Sequence, residues 1–134
     1  MTLPGQAEPA GRPTLRILAV DDEPVIRRMI SSLLGLEGHQ VVTAGSGEEA
    51  LQILAAEPFD IVLSDVAMGE GMTGWDLLEE VRLRWPGLRF ALATGWGASI
   101  DANEARARGV EAVITKPYRL GDLTHLLQPP RSEP

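Results

Sequence analysis

The sequence predicts an α/β domain in which a parallel β-sheet carries helices on both faces. Short apolar segments of strand length alternate five times with segments of helical periodicity. The strand-like segments are almost continuously apolar, which is typical of parallel strands buried on both sides. A composition with 44% hydrophobic residues and no cysteine fits one globular domain that has neither disulfides nor thiolate ligands.

The strands are placed by their apolar runs. In the third strand, Ile61, Val62 and Leu63 follow Pro58 and lead directly to Asp65. Strands that alternate with helices are expected to be parallel, with right-handed crossovers. We predict strands over 15–20, 39–44, 59–65, 88–93 and 110–115.

The helices are placed by their starting signals and their apolar stripes. Pro24 suits the first position of a helix, and the acids before it favour a helix N-terminus. Ser46 and Glu49 have the spacing of a capping box, in which each side chain pairs with the other residue's backbone. The remaining helices are predicted between Trp75 and Pro86, over 99–108 with a thin apolar face, and over 120–127.

The two ends of the chain differ from its middle. Residues 1–13 and 129–134 are rich in proline and lack apolar periodicity, so we predict disordered tails around one domain at 14–128.

The net charge of −7 disfavours direct binding to nucleic acid, because a surface that follows phosphates needs an excess of Lys and Arg. No apolar segment is long enough to span a membrane and no secretory signal is recognisable, so a cytoplasmic location is expected.

Polar side chains follow four of the five predicted strands. Ligands of open parallel sheets bind beyond the carboxyl ends of the strands, where these side chains would meet. The second strand ends without an ionisable residue, as expected if it lies at the edge of a sheet in the order 2-1-3-4-5. Each residue alone has a simpler explanation, such as capping a turn, but together they indicate a site. In chain order they are Asp21 and Asp22, Asp65, Thr94 and Lys116.

These residue types indicate phosphoryl chemistry with a divalent cation. Three carboxylates in one crevice repel each other unless a cation is present, and oxygen ligands without His or Cys suit Mg²⁺. A carboxylate can act as a nucleophile and form an aspartyl phosphate, the role predicted for Asp65. Thr94 and Lys116, the only lysine among twelve basic residues, would donate to phosphoryl oxygens. The turn after the first strand lacks the glycine pattern of a dinucleotide site.

Four segments stand at these strand ends: Val20-Asp21-Asp22-Glu23-Pro24, Leu63-Ser64-Asp65-Val66-x-Met68, Ala93-Thr94-Gly95 and Thr115-Lys116-Pro117. Together they resemble the receiver domain of two-component response regulators, the CheY-like family. Each segment is weak alone, but their order and spacing are specific, and the likeness covers about residues 14–128. It implies a flavodoxin-like (βα)5 fold, which is a three-layer sandwich around a five-stranded parallel sheet in the order 2-1-3-4-5.

The resemblance implies roles for the residues of a metal and phosphoryl site. Asp65 would accept a phosphoryl group from a sensor histidine kinase or a histidine phosphotransfer protein. Asp22 would bind Mg²⁺ directly, and Asp21 would act mainly through water. The backbone carbonyl of Ala67 would complete the metal site together with Asp65.

Two further residues would bind the phosphoryl group itself in this family. The hydroxyl of Thr94 would hydrogen-bond to it and Lys116 would pair with it, while the peptide before Pro117 is usually cis. The implied function is a phosphorelay module whose phosphorylation changes partner binding. Its only catalytic activity would be its own phosphorylation and dephosphorylation.

The sequence departs from the family pattern in three places. Val113 stands three residues before the lysine, where a switch aromatic is usual, so we expect a weaker or differently routed structural response. Gly69–Gly71 contains an insertion that places Gly74 one residue further from Asp65, which suggests a mobile loop. Ala67 and Trp96 occupy positions that help to set phosphoryl lifetime, and neither offers an acid or amide to orient water, so a long-lived phosphoryl group is expected.

Several alternatives remain open from the sequence. The domain is either stand-alone or excised from a larger regulator or hybrid kinase, and either a monomer or a phosphorylation-dependent dimer. Its output partner is unknown, with the helices at 100–108 and 120–127 as the expected partner face. One alternative is a receiver-like scaffold that is never phosphorylated. Another is a Mg²⁺-dependent aspartyl-phosphate phosphatase, which is disfavoured because Ala67 stands where such enzymes need a second aspartate.

Overall fold

The computed structural model describes residues 14–95 and 100–128. Within these ranges, five parallel strands form one sheet in the predicted order β2-β1-β3-β4-β5. The predicted tails at 1–13 and 129–134 and the segment 96–99 lie outside the described residues. The strands are β1 Arg16–Val20, β2 Gln40–Ala44, β3 Ile61–Asp65, β4 Arg89–Thr94 and β5 Ala112–Thr115. The helices are α1 Pro24–Leu36, α2 Gly47–Ala56, α3 Gly74–Arg84, α4 Ala102–Ala107 and α5 Leu120–Leu126.

Side chains alternate between two cores, one on each face of the sheet. Leu18 of β1 and Val62 of β3 face α2, α3 and α4, whereas Ile17 and Ile61 face α1 and α5. All five residues of β3 are buried, as the apolar run predicts for a central strand. The domain is therefore the three-layer sandwich that the resemblance implies.

Some strand boundaries differ from the sequence prediction by one or two residues. The fifth strand begins at Ala112 rather than residue 110, because the Val110 amide donates to the Ala105 carbonyl at 2.9 Å and continues the turn after α4. At the other end, β4 extends through Thr94, whose carbonyl accepts from the Lys116 amide at 2.8 Å. The carboxyl ends of β4 and β5 are thus joined directly beside the predicted site.

Helix caps follow the predicted chemistry with one change of partner. Ser46 caps α2 by accepting from the Glu49 amide at 3.1 Å, but the Glu49 carboxylate accepts from Gly45 at 2.8 Å rather than from Ser46. A reciprocal capping box occurs instead at α3, between Thr73 and Asp76. The Thr-x-x-Asp pattern before an apolar run could have revealed that box in the sequence.

The fourth helix is shorter than the predicted span of 99–108. It begins at Ala102 because the Asp101 carboxylate accepts from the amides of Asn103 and Glu104 and so fixes the N-terminus. Within the helix only Ala105 is buried. The thin apolar face seen in the sequence therefore corresponds to a short helix with little contact to the core.

The start of α3 packs directly on the end of β3. The Gly74 amide donates to the Val66 carbonyl at 2.7 Å. A Cβ atom built on Gly74 would lie 2.4 Å from the Asp65 carbonyl oxygen and 2.9 Å from the Val66 Cα atom. Because both of these are backbone atoms, Gly74 is required for the close approach.

We predict that Gly74→Ala destabilises the fold by about 1–3 kcal/mol, because the added methyl group must displace the backbone at Asp65. Denaturant unfolding would measure the loss. Gly35→Ala is the matched control: Gly35 also lies in a helix, but nothing is within 4 Å of its added Cβ. The control should be neutral or stabilising by up to about 1 kcal/mol, and equal effects of the two variants would contradict the packing explanation.

Candidate functional site

Three aspartates meet at the carboxyl edge of the sheet. Asp21 and Asp22 follow β1, and Asp65 is the last residue of β3. Each offers one carboxylate oxygen, and these oxygens lie within 4.8 Å of one another. Asp21 is fully buried and Asp65 is 7% exposed, whereas Asp22 is exposed to solvent. The sheet thus brings together the acids that were predicted to form a metal site.

Lys116 lies between two of these acids. Its Nζ atom is 2.8 Å from Asp21 Oδ2 and 3.2 Å from Asp65 Oδ2. Burial alone would lower the pKa of Lys116, but the hydrogen bonds and charges of Asp21 and Asp65 outweigh it and raise the pKa. The only lysine of the chain is therefore a charged ammonium that joins β5 to β1 and β3.

The cluster keeps an excess of negative charge. Burial raises the pKa of Asp65; Lys116 opposes this effect, and the negative charges of Asp21 and Asp22 add to it. Three carboxylates against one ammonium leave two negative charges when all four groups are ionised. Oxygen donors with surplus negative charge suit a hard divalent cation such as Mg²⁺.

Thr94 is close to Asp65 in the register of the sheet, and Ala67 is close to it along the chain. Thr94 is buried at the end of β4, one residue beyond Ala93, which pairs with Asp65 across the sheet. Ala67 is exposed in the loop two residues after Asp65. The peptide between Lys116 and Pro117 is cis, as the resemblance implied.

The enlarged loop after Asp65 makes defined contacts. Gly69 and Gly71 have φ angles of 67° and 95°, which favour glycine at both positions. The Met72 side chain packs against Gly47 at the start of α2, since a Cβ added there would lie 2.6 Å from Met72 Sδ. A Cβ added to Gly69 would lie 3.3 Å from Asp22 Oδ2. The loop therefore runs from the acid cluster to the start of α2.

Val113 and Trp96 both depart from the family pattern, but of these two only Val113 lies within the described residues. Val113 is partly buried and packs on the core formed with α2, α3 and α4, where it pairs with Leu92 of β4. Trp96, on which the expected long phosphoryl lifetime partly depends, lies outside the described residues.

Sequence reasoning missed two residues that border the site. Arg27 Nη1 donates to the Asp21 carbonyl oxygen at 2.7 Å, so α1 holds the backbone that carries the acid. Tyr118 is 7% exposed, and Lys116 Nζ lies 6.0 Å from the centroid of its ring. A signal for Tyr118 existed, because the only tyrosine of the chain directly follows Lys116-Pro117.

Comparison with known proteins assigns the family. The model of the response regulator receiver domain matches residues 17–128, and the chain belongs to this family. It is 39% identical over 112 residues to the response regulator protein FleR of Pseudomonas aeruginosa, a match that covers 84% of this chain and 24% of FleR. The chain thus spans about a quarter of the length of the first curated relatives it matches.

Solved structures agree with this assignment over most of the chain. The chemotaxis response regulator CheY4 of Vibrio cholerae matches with a TM-score of 0.77 and 32% identity, covering 87% of this chain and 98% of CheY4. The response regulator TrrA of Thermotoga maritima, solved in complex with Mg(2+)-BeF, matches with a TM-score of 0.74 and 29% identity, covering 84% of this chain and 95% of TrrA. In the described part of this chain, no helix is long and apolar enough to cross a membrane.

We predict that Asp65→Asn stabilises the protein in the presence of a chelator by about 1 kcal/mol, because it removes a carboxylate that is buried and lies beside two other acids, a cost that the contact with Lys116 offsets only in part. Thermal unfolding would show the effect as an increase of a few degrees. Burial raises the pKa of Asp65 in the folded wild type, so the ionised carboxylate lowers the free energy of unfolding above this raised pKa. The loss of stability disappears as the pH falls from the raised pKa to the ordinary aspartate value, because the carboxylate is then protonated in both states.

Asp122→Asn is the control for net charge, because Asp122 is exposed on α5 outside the cluster. It should change stability by less than about 0.5 kcal/mol. A destabilised Asp65→Asn protein in chelator would contradict the cost that we assign to burying this carboxylate beside Asp21 and Asp22.

Proposed function

We propose that Asp65 accepts a phosphoryl group in a Mg²⁺-dependent reaction and that this modification changes the binding of a partner. The observation that carries the proposal is the position of Lys116, whose Nζ atom contacts both Asp21 and Asp65 within 3.2 Å. An ammonium group beside a carboxylate nucleophile is suited to neutralise phosphoryl oxygens as they arrive.

The acid cluster supports Mg²⁺ as the cation. The donors are carboxylate oxygens, and they carry more negative charge than Lys116 neutralises. Asp22, Asp65 and the Ala67 carbonyl would hold the ion, with Asp21 acting mainly through water. When bound, Mg²⁺ supplies positive charge that offsets the negative charge of the phosphoryl group.

The positions of Asp65 and Lys116 support a direct transfer of the phosphoryl group. An Asp65 carboxylate oxygen forms a bond to phosphorus while the phosphorus–nitrogen bond of a phosphohistidine donor breaks, and the donor imidazole keeps the electron pair and takes up a proton. Lys116 then pairs with a phosphoryl oxygen, and Thr94, on the neighbouring strand end, donates its hydroxyl to another. Catalysis is therefore mainly positioning and charge neutralisation.

The donor would be a sensor histidine kinase or a histidine phosphotransfer protein, and the output partner would bind near α4 and α5. Such a module, with a domain at 14–128, needs no activity on external substrates beyond its own phosphorylation and dephosphorylation. We expect it to act in the cytoplasm, as a monomer or a phosphorylation-dependent dimer. It would work either alone or as part of a larger regulator or hybrid kinase.

Incubation with phosphoramidate and Mg²⁺ should add one phosphoryl group to the intact protein, detected by mass spectrometry. Asp65→Asn should abolish the addition, and chelation of the metal should reduce it by at least about 100-fold because the carboxylates and the donor then repel. Asp122→Asn, which removes an exposed acid from α5, should react as the wild type does. Phosphorylation of the Asp65→Asn protein would overturn the assignment, and steady release of phosphate from simple phosphate esters would favour the phosphatase alternative.

We expect the structural response to phosphorylation to occur without the rotation of an aromatic side chain that is usual in this family. Val113 has no ring to turn towards Thr94. Beryllofluoride with Mg²⁺ should therefore change the amide hydrogen exchange of β5 and α4 less in the wild type than in the Val113→Tyr variant. Exchange measured by mass spectrometry with and without beryllofluoride would test this comparison. A large ordered shift of α4 and β5 in the wild type would refute the expectation.

A further inference from the structure

Tyr118 carries a buried hydroxyl group that lacks a partner. Its side chain is 7% exposed, and among the described residues its hydroxyl makes no hydrogen bond. The ring packs in the core between the sheet and the helices α1 and α5. A buried hydroxyl without a partner is unfavourable, so a native protein that retains one invites a functional explanation.

Tyr118 lies close to the charged groups of the acid cluster. Lys116 Nζ lies 6.0 Å from the ring centroid and 2.8 Å from Asp21 Oδ2, so the ring, the ammonium and the acid belong to one cluster. Burial, together with the negative charges of Asp21 and Asp65, raises the pKa of Tyr118. The phenol therefore stays protonated and remains a hydrogen-bond donor.

Asp21 depends on Lys116 in the free protein. It is fully buried; its Oδ1 atom accepts from the Glu23 amide at 3.0 Å, and in the described residues the only partner of Oδ2 is the Lys116 ammonium. The same ammonium is 3.2 Å from Asp65 Oδ2. When a phosphoryl group on Asp65 attracts Lys116, the buried Oδ2 atom of Asp21 loses part of its stabilisation.

We propose that the Tyr118 hydroxyl is the donor that stabilises Asp21 when Lys116 turns to the phosphoryl group on Asp65. Tyr118 is then a positioning residue, which acts through Asp21 and Lys116 and does not touch the phosphoryl group. The inference rests on the proposed phosphorylation of Asp65. It explains why a phenol occupies a buried position where the ring alone would fill the space.

A spectroscopic test is direct because Tyr118 is the only tyrosine of the chain. The tyrosine doublet in ultraviolet resonance Raman spectra reports whether the phenol donates a hydrogen bond. It should indicate a weakly bonded hydroxyl in the free protein and with Mg²⁺ alone, and a strong donor with Mg²⁺ and beryllofluoride. An unchanged doublet in protein saturated with beryllofluoride, or the full change with Mg²⁺ alone, would overturn the inference.

Tyr118→Phe tests the same hydroxyl without changing the ring. It should weaken beryllofluoride binding about fivefold, the loss expected for one hydrogen bond, and leave Mg²⁺ affinity unchanged. The melting temperature of the free protein should be unchanged or higher, because no hydrogen bond is lost there. Thr124→Val, which removes a hydroxyl from α5 outside the site, should bind beryllofluoride as the wild type does.

The two proposals fail in distinguishable ways. The fluorine NMR signal of bound beryllofluoride and the phosphoramidate reaction report the proposed function, independently of the phenol. If the mimic binds and the doublet does not respond, or if Tyr118→Phe binds the mimic as tightly as the wild type, only the role of Tyr118 is refuted. If neither the mimic nor the phosphoryl group binds, the proposed function fails and the role of Tyr118 fails with it.

Discussion

One ammonium group shared by two buried carboxylates is the interaction on which this site depends. Asp21 has no access to solvent, and a buried carboxylate without a partner costs several kcal/mol. Lys116 supplies that partner only because β5 ends where β1 and β3 end, which the parallel sheet guarantees. The position of this single charge depends on the strand order, on the two-sided core and on the short link from β5 to α5. The negative charge of the site is still not neutralised, since three carboxylates face one ammonium group.

The sequence predicted most of the fold, and it predicted which charged side chains meet at one edge of the sheet, for a simple physical reason. In a parallel sheet the carboxyl ends of all strands lie on one edge, so residues that follow different strands meet in space without any knowledge of side-chain conformation. Asp21, Asp22, Asp65 and Lys116 were found in this way. The apolar run from Ile61 to Leu63 likewise fixed the central strand, because only a strand covered on both faces is so uniformly apolar.

Other features depend on packing that no local pattern encodes. The Glu49 carboxylate accepts from the Gly45 amide rather than from that of Ser46, a choice between neighbouring amides that the spacing of Ser46 and Glu49 does not decide. Tyr118 is buried in the core with α1 and α5 and its hydroxyl lacks a partner among the described residues; its position after Lys116-Pro117 marks the residue but does not reveal this burial. Val113 and Tyr118 also lie in different cores, on opposite faces of the sheet. A response centred on Tyr118 would therefore begin on the side of α1 and α5.

The contact between Gly74 and the Asp65 carbonyl has a mechanical consequence. Most helices rest on a sheet through side chains, which can change rotamer and so absorb small displacements. Here two backbones touch with no side chain between them, and the Gly74 amide is bonded to Val66. Because backbone atoms make this contact, we expect the end of β3 that carries Asp65 and the first turn of α3 to move together. A small shift of the backbone at Asp65 would therefore reach the start of α3 without being absorbed by a change of side-chain rotamer.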